Sequence, residues 1–323
     1  MTRQQTTPEA PDRVADAPPD NWVDRLAPAP TRPFLRLSRA DRPIGTWLLL
    51  IPCWWGVLLA AASQPGSAGW TTLWVATGCA IGAFLMRGAG CTWNDITDRD
   101  FDGRVARTRA RPIPSGQVTV KGALAWAVAQ SLIAFLILIT FHPAAIALGV
   151  ASLAVVAIYP FAKRFTWWPQ VFLGLAFNWG ALLAWAAQTG SIGWAPVLLW
   201  LSGIAWTVFY DTIYAHQDRD DDALIGIRST ARLFGNRTRA WLRLFLGLAV
   251  GLMTAAVVVA LAPQASLTAM LLGLFGVWAF GAHLAWQLAR LDIDDAEACL
   301  ALFRSNRDAG LLPVPFLAAA LFV

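Results

Sequence analysis

The sequence predicts an all-α, polytopic membrane protein of about nine transmembrane helices. Three observations carry this. Of 323 residues, 57% are hydrophobic and 14% charged, where soluble domains carry roughly 25% charged residues. Apolar runs of about 17–25 residues, the length that crosses a bilayer, recur along the chain. The charges between those runs fall only in alternate connections.

The elements follow in order. Residues 1–32 are rich in Pro, Ala and Asp and have no apolar core, unlike a signal peptide. Their acidic residues argue against a transit peptide, so a disordered N-terminal tail is expected there, with 33–323 as one transmembrane domain. Apolar segments then lie at 44–63, 70–91, 119–140, 143–162, 169–188, 194–213, 240–261 and 266–288. A shorter ninth, 309–323, is interrupted by Pro313 and Pro315, which remove helix hydrogen bonds. The cysteines Cys53, Cys79, Cys91 and Cys299 have no CxxC spacing and read as small buried hydrophobes.

No Lys, Arg, Asp or Glu occurs in 43–86, 122–162, 165–210, 244–289 or 309–323. Every charge lies in residues 1–42, before the first apolar segment, or in 87–121, 163–164, 211–243 and 290–308. The Lys/Arg bias of short loops puts that side in the cytoplasm, as in a bacterial inner membrane. The net charge of +5 is thereby explained by topology, and no nucleic-acid partner is expected. Trp167, Trp168 and Trp194 sit at segment ends, as an interfacial belt requires.

Two acidic stretches stand out at the cytoplasmic ends. The first runs Asn94-Asp95-Ile96-Thr97-Asp98-Arg99-Asp100-Phe101-Asp102. If the preceding helix continues, Asn94, Asp95, Asp98 and Asp102 line one face. The second lies four segments later, where Asp211, Asp218 and Asp222 are spaced i, i+7 and i+11, again one helical face. Carboxylates stacked near hydrocarbon are costly and mark functional sites. Hard oxygen ligands select Mg²⁺ or Ca²⁺, and Mg²⁺ binds through a few carboxylates plus substrate phosphates. Paired acidic clusters therefore suit a metal-bound diphosphate.

Cations for such a ligand are at hand. Arg87 lies two turns before Asn94, and Arg104, Arg107, Arg109 and Arg111 follow the first cluster. Arg219 and Arg228 accompany the second, and Lys163-Arg164 is the sole charge pair between the fourth and fifth segments. The Arg fork matches phosphate and carboxylate geometry, although some of these residues serve topology alone. His216 is a loop residue here, since magnesium sites prefer oxygen. Gly78 and Gly82 have GxxxG spacing and suit helix packing.

The motif NDxxDxxxD (Asn94, Asp95, Asp98, Asp102) and the DxxxD pair Asp218 and Asp222 resemble the UbiA superfamily of intramembrane aromatic prenyltransferases. The stretches Asp41-Arg42-Pro43-Ile44-Gly45, Arg111-Pro112-Ile113-Pro114-Ser115-Gly116 and Ile225-Gly226-Ile227-Arg228-Ser229-Thr230 are similar to its 4-hydroxybenzoate polyprenyltransferase branch. So is the region from Tyr159 to Arg164 with Pro169-Gln170. The resemblance covers about 34–323.

It implies a nine-helix bundle with a cytoplasmic cap made by two Asp-rich loops. It implies transfer of a polyprenyl group from polyprenyl diphosphate to 4-hydroxybenzoate, in ubiquinone biosynthesis, with Mg²⁺ as cofactor and membrane lipid as surroundings. On that basis Asn94, Asp98, Asp102, Asp218 and Asp222 are expected to hold metal, and Arg87, Arg107, Arg111, Lys163 and Arg228 the diphosphate. Asp211 is expected to orient or deprotonate the acceptor hydroxyl, and Arg164 to pair with its carboxylate. The family usually has Lys where Arg228 stands.

Within the superfamily the resemblance leaves one alternative, another branch acting on a different aromatic acceptor, and two other classes fit less well. The segment Asp102-Gly103-Arg104-Val105-Ala106-Arg107 with Gly116 resembles part of the CDP-alcohol phosphotransferase signature. That motif wants Asp where Arg99 sits, and it gives Asp211 to Asp222 no role. A transporter would place its charges near the midplane on broken helices, whereas these clusters lie at one membrane face.

Overall fold

The computed structural model describes residues 17–18, 20–103, 108–219 and 226–323, apart from the side chains of Phe101 and Asp218. Among these residues there are α-helices and 3₁₀ turns and no strand. Eight helices are long and apolar enough to cross a membrane. Their positions match the apolar runs because a bilayer leaves a backbone no partner but itself. By its contacts the chain divides into two compact units, Met1–Gly45 with Phe84–Ala134, and Thr46–Ala83 with Phe135–Val323.

The first unit corrects the expected tail. Residues 1–16 and 19 lie outside the described set, but Trp22 to Leu37 form three short helical pieces. Helix α1 (Trp22–Leu26) starts at Asn21, whose Oδ1 accepts from the Asp24 amide at 3.0 Å. It folds back on α2 (Arg32–Leu37): Val23 packs with Ala27 and Ala40, and Arg36 Nη2 meets Asp24 Oδ1 at 2.8 Å. The Trp22 indole donates to the Ala40 carbonyl at 2.8 Å. An amphipathic turn with its own cap thus docks where composition alone suggested disorder.

Helix α3 (Ile44–Ala62) is followed by α4 (Trp70–Asp102), which overruns its apolar segment and carries the first acidic stretch. In α5 (Val120–Leu138), Gln130 and Trp126 face the loop after α2. Ser38 Oγ donates to Gln130 Oε1 at 3.1 Å and accepts from the Trp126 indole at 2.8 Å.

In the second unit the tight 141–142 junction is made by His142, whose ring accepts from the Ala144 amide and caps α6 (Pro143–Ile158). The short α7 (Ala162–Phe165) carries Lys163 and Arg164. The next segment is split at Asn178 into α8 (Pro169–Phe177) and α9 (Trp179–Thr189). Buried Asn178 Nδ2 donates to the Gly174 carbonyl at 2.9 Å and to Thr207 Oγ1 at 2.8 Å. Its amide oxygen fills the space a Cβ would need at Gly203, so glycine is what fits there.

Helix α10 (Trp194–Ala215) packs against α8, α9 and α12 (Thr238–Leu261), with the small α11 (Thr230–Phe234) beside it. Its Trp206 sits in an aromatic cluster with Trp55 at 5.1 Å and Phe280 of α13 (Leu267–Arg290) at 5.7 Å. A buried indole N–H needs an acceptor. Trp206 finds Asn306 Oδ1 at 2.9 Å, and Trp55 finds the Gly310 carbonyl at 2.8 Å. The expected ninth span begins earlier and in pieces, α14 (Ala296–Arg304), α15 (Asn306–Leu311) and α16 (Pro313–Ala319). Its prolines interrupt the helix ladder. Trp70 and Trp194 open their helices and are 77% and 75% exposed, as interfacial anchors.

Candidate functional site

The site builds from α4. Because the helix runs unbroken through Asp102, Asn94, Asp98 and Asp102 fall one turn apart on one face. Asn94 is half-buried, while Asp98 and Asp102 are buried, Asp98 to 2% exposure. Arg99 and Asp100 point the other way, exposed, and contact each other at 3.4 Å.

Asp95 is wholly buried and answers to cations. Arg39 Nη2 lies 2.6 Å from its Oδ1, and Arg111 Nη1 reaches the same oxygen at 3.4 Å. Arg111 Nη1 also meets Asp102 Oδ2 at 2.8 Å, so one guanidinium bridges the two carboxylates. Burial pushes the Asp102 carboxyl up; Arg111 opposes this, and the neighbouring Asp95 and Asp98 add to the rise. The Thr108 hydroxyl donates to the Asp102 carbonyl at 2.8 Å and closes the helix end.

Arg87, two turns nearer the membrane, is half-buried, and its guanidinium packs against Gly45, 2.6 Å from where a Cβ would stand. Glycine in the Asp41-Arg42-Pro43-Ile44-Gly45 stretch thus makes room for that cation. Asp41 is itself buried, and desolvation raises its carboxyl although Arg42 and Arg39 pull it down.

The second unit arranges the remaining residues. Asp211 is half-buried in the last turn of α10. The helix stops at Ala215 and tightens into the 3₁₀ turn His216–Asp218. The expected single α-helical face through Asp211 and Asp218 is therefore broken, because i+3 bonding after Ala215 changes the angular step. Asp222 and Arg107 lie outside the described residues. His216 is held by Thr238 Oγ1 at 3.2 Å, and burial lowers its pKa to about 4, so the ring stays neutral near pH 7.

Lys163 is half-buried and Arg164 exposed, with Arg164 5.1 Å over the Phe161 ring. Arg228 donates to the Phe165 carbonyl at 2.9 Å and sits 5.7 Å over Trp167. Its guanidinium fastens the 226–230 stretch to the loop after α7. The Thr230 amide adds a bond to Gln170 Oε1 at 3.2 Å.

The first acidic face offers oxygen donors only, an amide and carboxylates, which is the ligand chemistry of a hard divalent cation. Among the described residues no three His, Cys, Asp or Glu side chains converge tightly enough to hold a metal by themselves. Oxygen donors of this kind fit Mg²⁺, which keeps waters and leans on substrate phosphates. Arg39 is the residue that sequence reasoning missed. Its only sequence signal is a place two residues before Asp41, and its partner is 56 residues away.

The sequence profile of the UbiA prenyltransferase family matches residues 49–307. A curated relative from Aedes aegypti, "4-hydroxybenzoate polyprenyltransferase, mitochondrial", is 46% identical over 281 residues, covering 87% of this chain and 61% of its own length. The Mus musculus protein of the same name is 46% identical, covering 97% of this chain and 83% of its own. Among solved structures, a UbiA homolog from Archaeoglobus fulgidus bound to GPP and Mg²⁺ superposes with TM-score 0.67 at 16% identity. That match covers 90% of this chain and 100% of the other and shows a shared fold. With its motifs on a buried acidic helix end and its profile matched over most of its length, this chain belongs to the UbiA prenyltransferase family.

Proposed function

We propose that the chain transfers a polyprenyl group from polyprenyl diphosphate to the ring carbon ortho to the hydroxyl of 4-hydroxybenzoate, in ubiquinone biosynthesis. The observation that carries this reading is the buried acidic face of α4, flanked by Arg87 and Arg111. The relatives whose names give that activity support it.

Asn94, Asp98 and Asp102, with Asp218 and Asp222 carried over from the second family motif, are the residues that would hold Mg²⁺. Bound there, Mg²⁺ supplies positive charge to the diphosphate leaving group. Arg87, Arg107, Arg111 and Lys163 bind the diphosphate oxygens, and their cations favour departure of the allylic C–O electron pair with it. Arg228 serves that site from the loop it fastens. The ring carbon then bonds to the allylic carbon, and the ring proton leaves. Asp211 orients or deprotonates the acceptor hydroxyl, and Arg164 pairs with the acceptor carboxylate. The prenyl chain stays among apolar helices, which keep water from the allylic centre.

The protein is a multi-pass membrane protein. We assign it to a bacterial inner membrane with the acidic residues cytoplasmic; the named relatives are mitochondrial, and fractionation of the native host decides between these membranes. The activity is tested by incubating membranes with labelled polyprenyl diphosphate, 4-hydroxybenzoate and Mg²⁺ and identifying the product by mass. Transfer that survives both Asp98→Ala and Asp218→Ala overturns the assignment of the acidic residues.

A further inference from the structure

We propose that Arg39 is a positioning residue for this reaction: by holding Asp95 it keeps Arg111 available to Asp102 and to the diphosphate. The inference rests on reading the α4 face as the metal–diphosphate site.

The backbone makes the first point. Arg39 has φ 57°, and it is the one non-glycine residue at positive φ among the described residues. That conformation is unfavourable for an L-residue, whose Cβ crowds the carbonyl oxygen. A glycine would adopt it freely, yet this position carries the longest cation, and its side chain is buried against Asp95. Such strain persists where the surroundings over-determine it, typically at functional sites.

The ion pairs make the second point. Asp95 is fully buried, and its Oδ2 has no hydrogen-bond partner among the described residues. All its compensation falls on Oδ1, from Arg39 at 2.6 Å and Arg111 at 3.4 Å. The Arg111 nitrogen that reaches Asp95 is the one that holds Asp102 at 2.8 Å. Two carboxylates therefore compete for one nitrogen, and Arg39 weakens the claim of the deeper one. Without Arg39, Asp95 keeps Arg111 as its one ion-pair partner among the described residues, and Coulomb attraction draws Arg111 toward it. Arg111 then leaves Asp102 and turns away from any phosphate beyond it.

The anchoring of the loop makes the third point. Ser38 is tied to Gln130 and Trp126, and the Ala40 carbonyl to Trp22, none of which uses the Arg39 side chain. The Arg39 side chain adds one bond of its own to the loop, from Nη1 to the Arg36 carbonyl at 3.2 Å; the other anchors stand without it, so the main effect of changing residue 39 on the site travels through Asp95.

The test uses the full chain in detergent and measures binding of Mg²⁺ with geranyl thiodiphosphate, an unreactive donor, by calorimetry. Arg39→Gly relaxes the backbone and removes the charge, and it is expected to weaken binding about tenfold or more, the worth of a displaced charge-assisted contact. Adding Asp95→Asn removes the competing carboxylate and is expected to restore binding to within about threefold of wild type. An Arg39 that touches the diphosphate itself predicts no such rescue, and a merely structural one predicts unchanged binding wherever the single variant is still folded, which a melting curve on the same sample reports. Unchanged binding in Arg39→Gly, or a double variant no better than the single one, overturns the proposal. If Arg39→Gly alone does not purify folded, the double variant decides by itself, since loss of binding there also overturns it. Wild-type protein that fails to bind the probe sinks the site reading instead, so the two failures are distinct.

Discussion

The guanidinium of Arg87 occupies the space a Cβ would need at Gly45, with Nε and Nη2 each 2.6 Å from that position. The clash is with the far end of a flexible side chain, so Gly45→Ala is expected to cost little stability and to swing Arg87 aside. The expected result is a KM for the prenyl diphosphate raised about tenfold or more, the worth of a charge-assisted contact. Steady-state kinetics beside a detergent melting curve checks it.

Asp98 is almost wholly buried on the acidic face and belongs to the proposed metal set. Asp98→Asn keeps the shape and removes the charge. Activity should fall about 100-fold or more, as when a charge-stabilising group is lost from an active site. Chelation by EDTA should abolish wild-type turnover, and added Mg²⁺ should restore it; turnover unaffected by EDTA would contradict the metal requirement.

Arg111 spans Asp95 and Asp102 with one nitrogen. Arg111→Lys keeps the charge but loses the fork, so it should weaken donor binding and lower the unfolding midpoint. Arg111→Ala should do worse, since breaking a buried pair costs about 3–5 kcal/mol. Thermal melts of the two variants should separate in that order.

Asp24 gives a pH prediction outside the membrane. Burial alone would raise its carboxyl, but the Asn21 amide and the Arg36 guanidinium outweigh that and hold it below its ordinary value. The folded state therefore favours the charged form. Its stabilisation of the α1 contact is present above the unfolded value, near 3.9, and is lost as pH falls through the folded one. Proteolysis within 20–31 should accelerate on acidification in wild type, and Asp24→Asn should remove that acid-dependent step.

The positions of the long helices were legible because hydropathy alone imposes them. The polar end of α4 was legible only as spacing, since its last two turns carry no apolar signal. Asn178 left no trace because a single Asn inside an apolar run reads as a tolerated polar residue, yet here it splits a span. The order in 20–31 was written in Asn21 and Asp24, a cap signal outweighed by the surrounding prolines and alanines. Arg39 depends on a left-handed backbone and a contact 56 residues away, and neither leaves a local pattern.

Helix α4 has 33 residues, which at about 1.5 Å each reach roughly 50 Å, while the hydrocarbon layer is about 30 Å thick. The surplus makes the helix a stalk. On the proposed function, that surplus of about 20 Å carries the acidic face beyond the hydrocarbon, toward the depth of a lipid-borne donor's diphosphate. A donor with a greasy chain and a charged head can then react without either end changing phase. The barrier to that crossing, which would be prohibitive for the head and wasteful for the tail, is removed by the length of one helix.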